Sequence, residues 1–146
     1  MCNNHRLACS CGKNKANIMF KNHILPPMVV SNLYCPECSK NVALQVECMI
    51  FDNNWIMEFD LSLADVYLKR VNVDTECINP EFLFDEGYAT WNGFTPNDLD
   101  HRLTERKKIV ALAAHDMRQY LAEMKRWGCE RVEKFREAGW RKAQHC

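Results

Sequence analysis

Two cysteine pairs dominate this chain of 146 residues: Cys9-Ser10-Cys11-Gly12 and Cys35-Pro36-Glu37-Cys38, with 23 residues between Cys11 and Cys35. Thiolates delivered from two tight turns can converge into a tetrahedral four-sulfur pocket, which suits zinc first and iron second. A closed set of four sulfurs leaves no coordination position for water or substrate, so such a site is structural, and the metal-binding energy becomes folding energy. The expected ligand set is Cys9, Cys11, Cys35 and Cys38. His5 and Cys2 stand as alternative fourth ligands, because zinc accepts imidazole as readily as thiolate.

Residues 7–51 resemble the zinc ribbons, the rubredoxin-like family of metal knuckles in which two cysteine turns face each other above a small sheet. The likeness rests on Tyr34-Cys35-Pro36-Glu37-Cys38 together with Cys9 and Cys11-Gly12, and it covers about a third of the chain. It implies turns whose backbone N–H groups point at the sulfurs and stabilise thiolate charge. Two features depart from the family pattern. The first pair is C-x-C instead of C-x-x-C, and Ser39 follows the second pair where the family often carries Gly. A ribbon of this kind speaks to the metal and hardly to function.

The elements that must hold these turns read as strands up to about residue 60. Asn17–Phe20, Met28–Tyr34, Val42–Phe51 and Trp55–Phe59 are short runs rich in apolar, aromatic or β-branched residues. Asp52-Asn53-Asn54 signals a turn, so the last two runs are expected to form a hairpin within one small antiparallel sheet. After Asp60 the pattern becomes helical. Ser62 with Asp65 reads as an N-terminal cap pair, followed by Leu63, Val66, Tyr67 and Val71 on one face. Asn79-Pro80 starts a second helix that Gly87 ends, and residues 88–94 form an aromatic connector.

Thr95-Pro96-Asn97-Asp98 reads as a Thr cap with Pro at the first helical position. Apolar residues from Leu99 to Trp127 then recur at three- and four-residue steps. Unbroken to Lys142, that helix would run about 70 Å at 1.5 Å per residue. It is therefore expected to break near Gly128, with a second helical piece over Cys129–Ala138, or to pair with another copy of the chain.

The formal net charge of zero hides segregation: residues 51–100 hold 2 basic and 11 acidic side chains, and residues 101–146 hold 12 and 6. Such halves pair internally, with a symmetry mate, or with a polyanion. Basic residues and tryptophans from Lys125 to Lys142 would suit a nucleic-acid surface, but Glu130, Glu133 and Glu137 interrupt them at spacings that form salt bridges along a helix, to Lys134 and Arg141. Asp98, His101 and Glu105 share a helix face by spacing. A second metal or an acid–base group there competes with a solvated first turn whose charges compensate the helix dipole. The five glycines build no phosphate-binding loop and there is no G-x-S-x-G elbow, so no residue recommends itself as catalytic.

Nine cysteines without an apolar export segment near residue 1, and with no run of about 20 apolar residues, point to a reducing, cytoplasmic compartment and no membrane. The expected fold is α+β: a zinc-ribbon β domain over residues 1–60, then a helical region over 61–146 ending in a long amphipathic helix. The expected role is a zinc-stabilised module that dimerises or binds a partner protein through that helix. A nucleic-acid-binding regulator using the basic helix and a rubredoxin-like iron electron carrier are the alternatives.

Overall fold

The computed structural model describes residues 3–74, 76 and 78–146. Cys2, named above as an alternative ligand, lies outside the described residues. The chain is a mixed α+β protein that divides into two compact units, Met1–Asn92 and Gly93–Cys146. Among the described residues, five of the six strands precede residue 60, and the helices over Leu61–Arg70 and Pro80–Asp85 and a last short strand, Thr90–Trp91, fall within the first unit.

The first unit holds two three-stranded antiparallel sheets in place of the single sheet expected. One orders its strands β1 (Asn3–Ala8), β2 (Lys15–Phe20) and β6 (Thr90–Trp91), with β2 in the centre. The other orders β3 (Val30–Tyr34), β5 (Trp55–Phe59) and β4 (Met49–Asp52), with β5 in the centre. The central strands are covered on both faces: β2 buries Ala16, Ile18 and Phe20 on one face and Asn17 on the other, and β5 buries Trp55, Met57 and Phe59 on one face and Ile56 on the other.

The hairpin between β4 and β5 turns on Asn53 and Asn54, both left-handed at φ 48° and 73°, as a two-residue turn that follows strand twist requires. Strand β4 is shorter than expected. The paired register with β5 ends at Met49, opposite Glu58, with one further bond from Phe59 N to Cys48 O at 2.8 Å, and residues 42–47 form no strand, Leu44 and Val46 being exposed.

Trp91 joins the two sheets. It is fully buried, meets Trp55 and Phe84 edge-to-face at 5.9 and 5.7 Å, and donates its indole N–H to Asp52 Oδ2 of β4 at 2.7 Å. A buried indole needs such an acceptor, and Asp52 supplies it from the other sheet.

Helix α2 (Leu61–Arg70) starts two residues earlier than read, because Asp60, not Ser62, caps it by accepting from Leu63 N at 3.0 Å. Its buried face is accordingly Ala64 and Leu68, while Val66 faces out. Helix α3 (Pro80–Asp85) begins at Asn79-Pro80 as read, with Asn79 Oδ1 accepting from Phe82 N at 2.7 Å and Gly87 at φ 82° just beyond its end.

The second unit is a helical hairpin with a short coda: α4 (Asp98–Val110), a 3₁₀ turn over Ala111–Ala114, α5 (Met117–Glu137) and α6 (Arg141–Gln144). The single long helix expected from the periodicity breaks, but not at Gly128. Asp116 terminates the preceding turn and caps α5, its carboxylate accepting from Arg118 N and Gln119 N at 2.9 and 3.2 Å. Gly128 lies inside α5 because one glycine costs a helix only about 1 kcal/mol, too little to interrupt 21 residues. The start of α4 also moves, to Asp98, with no side-chain cap from Thr95 or Asn97. Among the described residues no helix is long and apolar enough to cross a membrane.

Candidate metal centre

Each cysteine pair sits where a strand ends. Cys9 follows β1 directly, and the turn from β1 into β2 is closed by Cys9 N donating to Asn14 O at 2.8 Å and Gly12 N to Cys9 O at 2.8 Å. Gly12 supplies the left-handed residue, φ 74°, that lets a C-x-C turn reverse so tightly. Cys35 follows β3, and Pro36 opens the short helix α1 (Pro36–Ser39), which carries Cys38. Ser10 N donates to Leu33 O at 3.1 Å and so binds the first turn to the end of β3.

Ser39, the residue that departs from the family pattern, has a use of its own here. Its hydroxyl donates to Asn54 O at 2.6 Å and ties the second turn to the β4–β5 hairpin.

The sulfurs of Cys9, Cys11, Cys35 and Cys38 all lie within 4.8 Å of one another. Cys11 and Cys35 sulfurs are 3.9 Å apart. Ligands about 2.3 Å from a shared centre at tetrahedral angles stand about 3.8 Å apart, whereas a disulfide would bring them to about 2.05 Å. Cys9 and Cys35 are buried, Cys38 is half-buried and Cys11 faces out. Among the described residues no other group of three or more His, Cys, Asp or Glu has metal-binding proximity.

The backbone N–H groups the resemblance implies are present. Cys35 N donates to Cys9 Sγ at 3.1 Å. Burial pushes the Cys35 thiol up, but N–H groups of Cys38 and Glu37, the Asn14 side chain and the Cys9 thiol outweigh it and bring Cys35 down to about 6. The N–H groups of Lys13 and Asn14 lower Cys11. Cys38 is pushed up to about 12, first by its contact with Cys9, then by burial and by Cys11 and Cys35. Four thiolates so close together repel, and the cluster as a whole can ionise fully only around a compensating cation.

The other residues read from the sequence sit elsewhere. The ring of His5 packs edge-to-face on Phe20 at 5.6 Å. His101 is exposed, and Asp98 is not a solvated first-turn acid but fully buried. Cys48 lies apart from the cluster, half-buried, its thiol donating to Gln45 Oε1 at 3.6 Å. Glu130 pairs with Arg126 at 3.7 Å and not with Lys134.

What the sequence did not reveal is the partner of Asp98. Its Oδ2 accepts from Phe94 N at 3.1 Å and from the guanidinium of Arg131, 33 residues on. Gly93, at φ 111°, makes room for that carboxylate, since a Cβ there would collide with Asp98 Oδ2. No family model, curated protein or solved structure matches this chain.

Proposed function

We propose that Cys9, Cys11, Cys35 and Cys38 hold one zinc ion as a structural staple, and that the chain is an interaction module rather than an enzyme. The observation that carries the first half is the convergence of four sulfurs within 4.8 Å, at a spacing a tetrahedral ion would impose. The two pairs issue from different sheets, so the ion would tie the β1–β2 hairpin to the end of β3, where Ser10 N–Leu33 O is the neighbouring backbone link. Amide N–H groups aimed at the sulfurs favour the thiolate form that zinc requires.

The second half rests on the helical hairpin. Of its non-polar side chains only Pro96 and Ala143 are buried, while Leu103, Val110, Met117 and Leu121 are exposed. Residues 93–146 carry 12 basic and 8 acidic side chains. A helix pair with an uncovered apolar stripe and a net positive charge suits association with a second copy or with a partner protein.

Elemental analysis of the purified chain tests the metal reading, with one zinc per chain expected. Iron in that stoichiometry, with colour and an electron-spin signal, would turn the same cage into an electron carrier. A second bound metal would revive catalysis, and a metal-free, cooperatively folded chain would end the proposal.

A further inference from the structure

Arg131 is the one buried cation among the described residues, and its surroundings are unlike those of a simple internal ion pair. Its guanidinium lies over the rings of Trp127, Phe135 and Phe94, with centroids at 4.9, 5.3 and 5.8 Å. It forms the floor of a cleft of about 250 Å³ within the helical hairpin, lined also by Glu105, Trp127, Glu130, Lys134 and Phe135. The other α5 residues of the cleft lie three, four, seven and eight positions from Trp127, hence on one face.

Of the four charged groups in the cleft, Glu105, Glu130 and Arg131 each have an ion-pair partner, and among the described residues Lys134 has none. Glu105 accepts from Trp127 Nε1 at 2.8 Å and stands 3.6 Å from an Arg131 nitrogen. Glu130 is held by Arg126. Arg131 has five N–H donors, of which one is hydrogen-bonded to Asp98, while Glu105 stands within ion-pair distance of a second nitrogen. Lys134 makes no ion pair among the described residues; its ammonium rests 5.4 Å from the Phe135 ring. What the cleft offers a ligand is therefore guanidinium donors, an ammonium and two aromatic walls. The net positive charge of this unit draws anions toward it.

We propose that this cleft binds a small aromatic oxyanion. Its carboxylate or phosphate would sit on Arg131 and Lys134, where a planar guanidinium presents paired donors, and its ring would lie against Trp127 or Phe135. The volume limits it to roughly one ring with its acidic group, below the range of drug-sized ligands. The cleft shares no residue with the cysteine cluster, so this proposal stands or falls separately from the zinc reading.

The test is a titration of the full, metal-loaded chain by nuclear magnetic resonance, following the four tryptophan indole N–H signals, with Trp127 assigned from W127F. Probes are benzoate and phenyl phosphate, with benzamide as the neutral control and benzylamine as the cationic one. Benzoate, phenyl phosphate or both should shift the Trp127 signal and bind at least about tenfold tighter than benzamide. Whichever of the two binds tighter identifies the acidic group. Exposed Lys134 can be changed without touching the buried pair, and K134Q should weaken that binding by about threefold. Equal or tighter binding of benzamide or benzylamine would overturn the proposal. So would shifts that bypass Trp127, or binding unchanged in K134Q.

Discussion

The two units solve the problem of a small interior in opposite ways. The first surrounds Trp91 with apolar side chains from two sheets, admits Asp52 and the neutral Asn17, Thr90 and Asn92 among them, and gathers four thiols in the turns that follow β1 and β3. The second has no comparable apolar centre; the middle of its hairpin is a carboxylate and a guanidinium, Asp98 and Arg131, faced with aromatic rings. A core of hydrocarbon is non-directional and accepts volume-conserving exchanges. A core built on one ion pair is directional, and it fails sharply when either partner is lost.

The largest test of this contrast is C35S. Cys35 is buried, its N–H holds Cys9, and it lies 3.9 Å from Cys11. Structural zinc sites contribute about 10–16 kcal/mol of apparent folding energy, comparable with or above the whole net stability of a domain at about 5–15 kcal/mol. The variant is expected to purify without zinc and to lose the near-ultraviolet dichroism of Trp55 and Trp91. If C35S stays zinc-free yet keeps a cooperative transition near that of the parent, the first unit owes its stability to the Trp91 core and not to the cage.

How much of this contrast could be read from sequence depends on how local each feature is. The Cys35–Cys38 turn, the Asn53-Asn54 hairpin and the Asn79-Pro80 helix start are written in neighbouring residues, and the structure has each of them. Strand β1 escaped because Asn-Asn-His-Arg-Leu-Ala has no apolar alternation; it is a strand because β2 pairs with it from Asn3 to Ala8. Residues 42–47 misled in the other direction, apolar in composition yet left without a partner strand. Periodicity ran straight through residues 111–116, since it counts apolar positions and not the competition of Asp116 for the next turn's N–H groups. The Asp98–Arg131 pair spans 33 residues, and the charges alone read as surface. Of the candidate site, the residues were legible from their turns. Their approach to within 4.8 Å needed the packing of two sheets.

Second in size is R131M. It leaves Asp98 buried beside Phe94 N with its charge uncompensated, and one carboxylate oxygen already lacks a hydrogen-bond partner. Removing one member of a buried pair costs about 3–5 kcal/mol, to be read from urea denaturation. The double variant D98L/R131M replaces the pair by hydrocarbon and should recover most of that loss. Recovery would show that the hairpin tolerates an ordinary core. A double variant as unstable as the single one would mean that the Phe94 N–H, left without its acceptor, is the dominant cost.

The smallest effect expected has the opposite sign. A Cβ built on Gly128 meets nothing within 4 Å, and the residue is helical and inside α5. G128A should therefore stabilise the hairpin by up to about 1 kcal/mol, because alanine restricts the unfolded chain and costs the folded one nothing. Thermal unfolding at micromolar concentration measures it. The same variant separates folding from association: Gly128 follows Met117, Leu121 and Met124 at helical spacing along the partly uncovered stripe. If a partner helix approached there closely, the added methyl would weaken the complex while strengthening the monomer. A gain in unfolding temperature with a fall in apparent mass would place the contact over Gly128, and a gain with no change in mass would move it toward Leu103 and Val110 on α4.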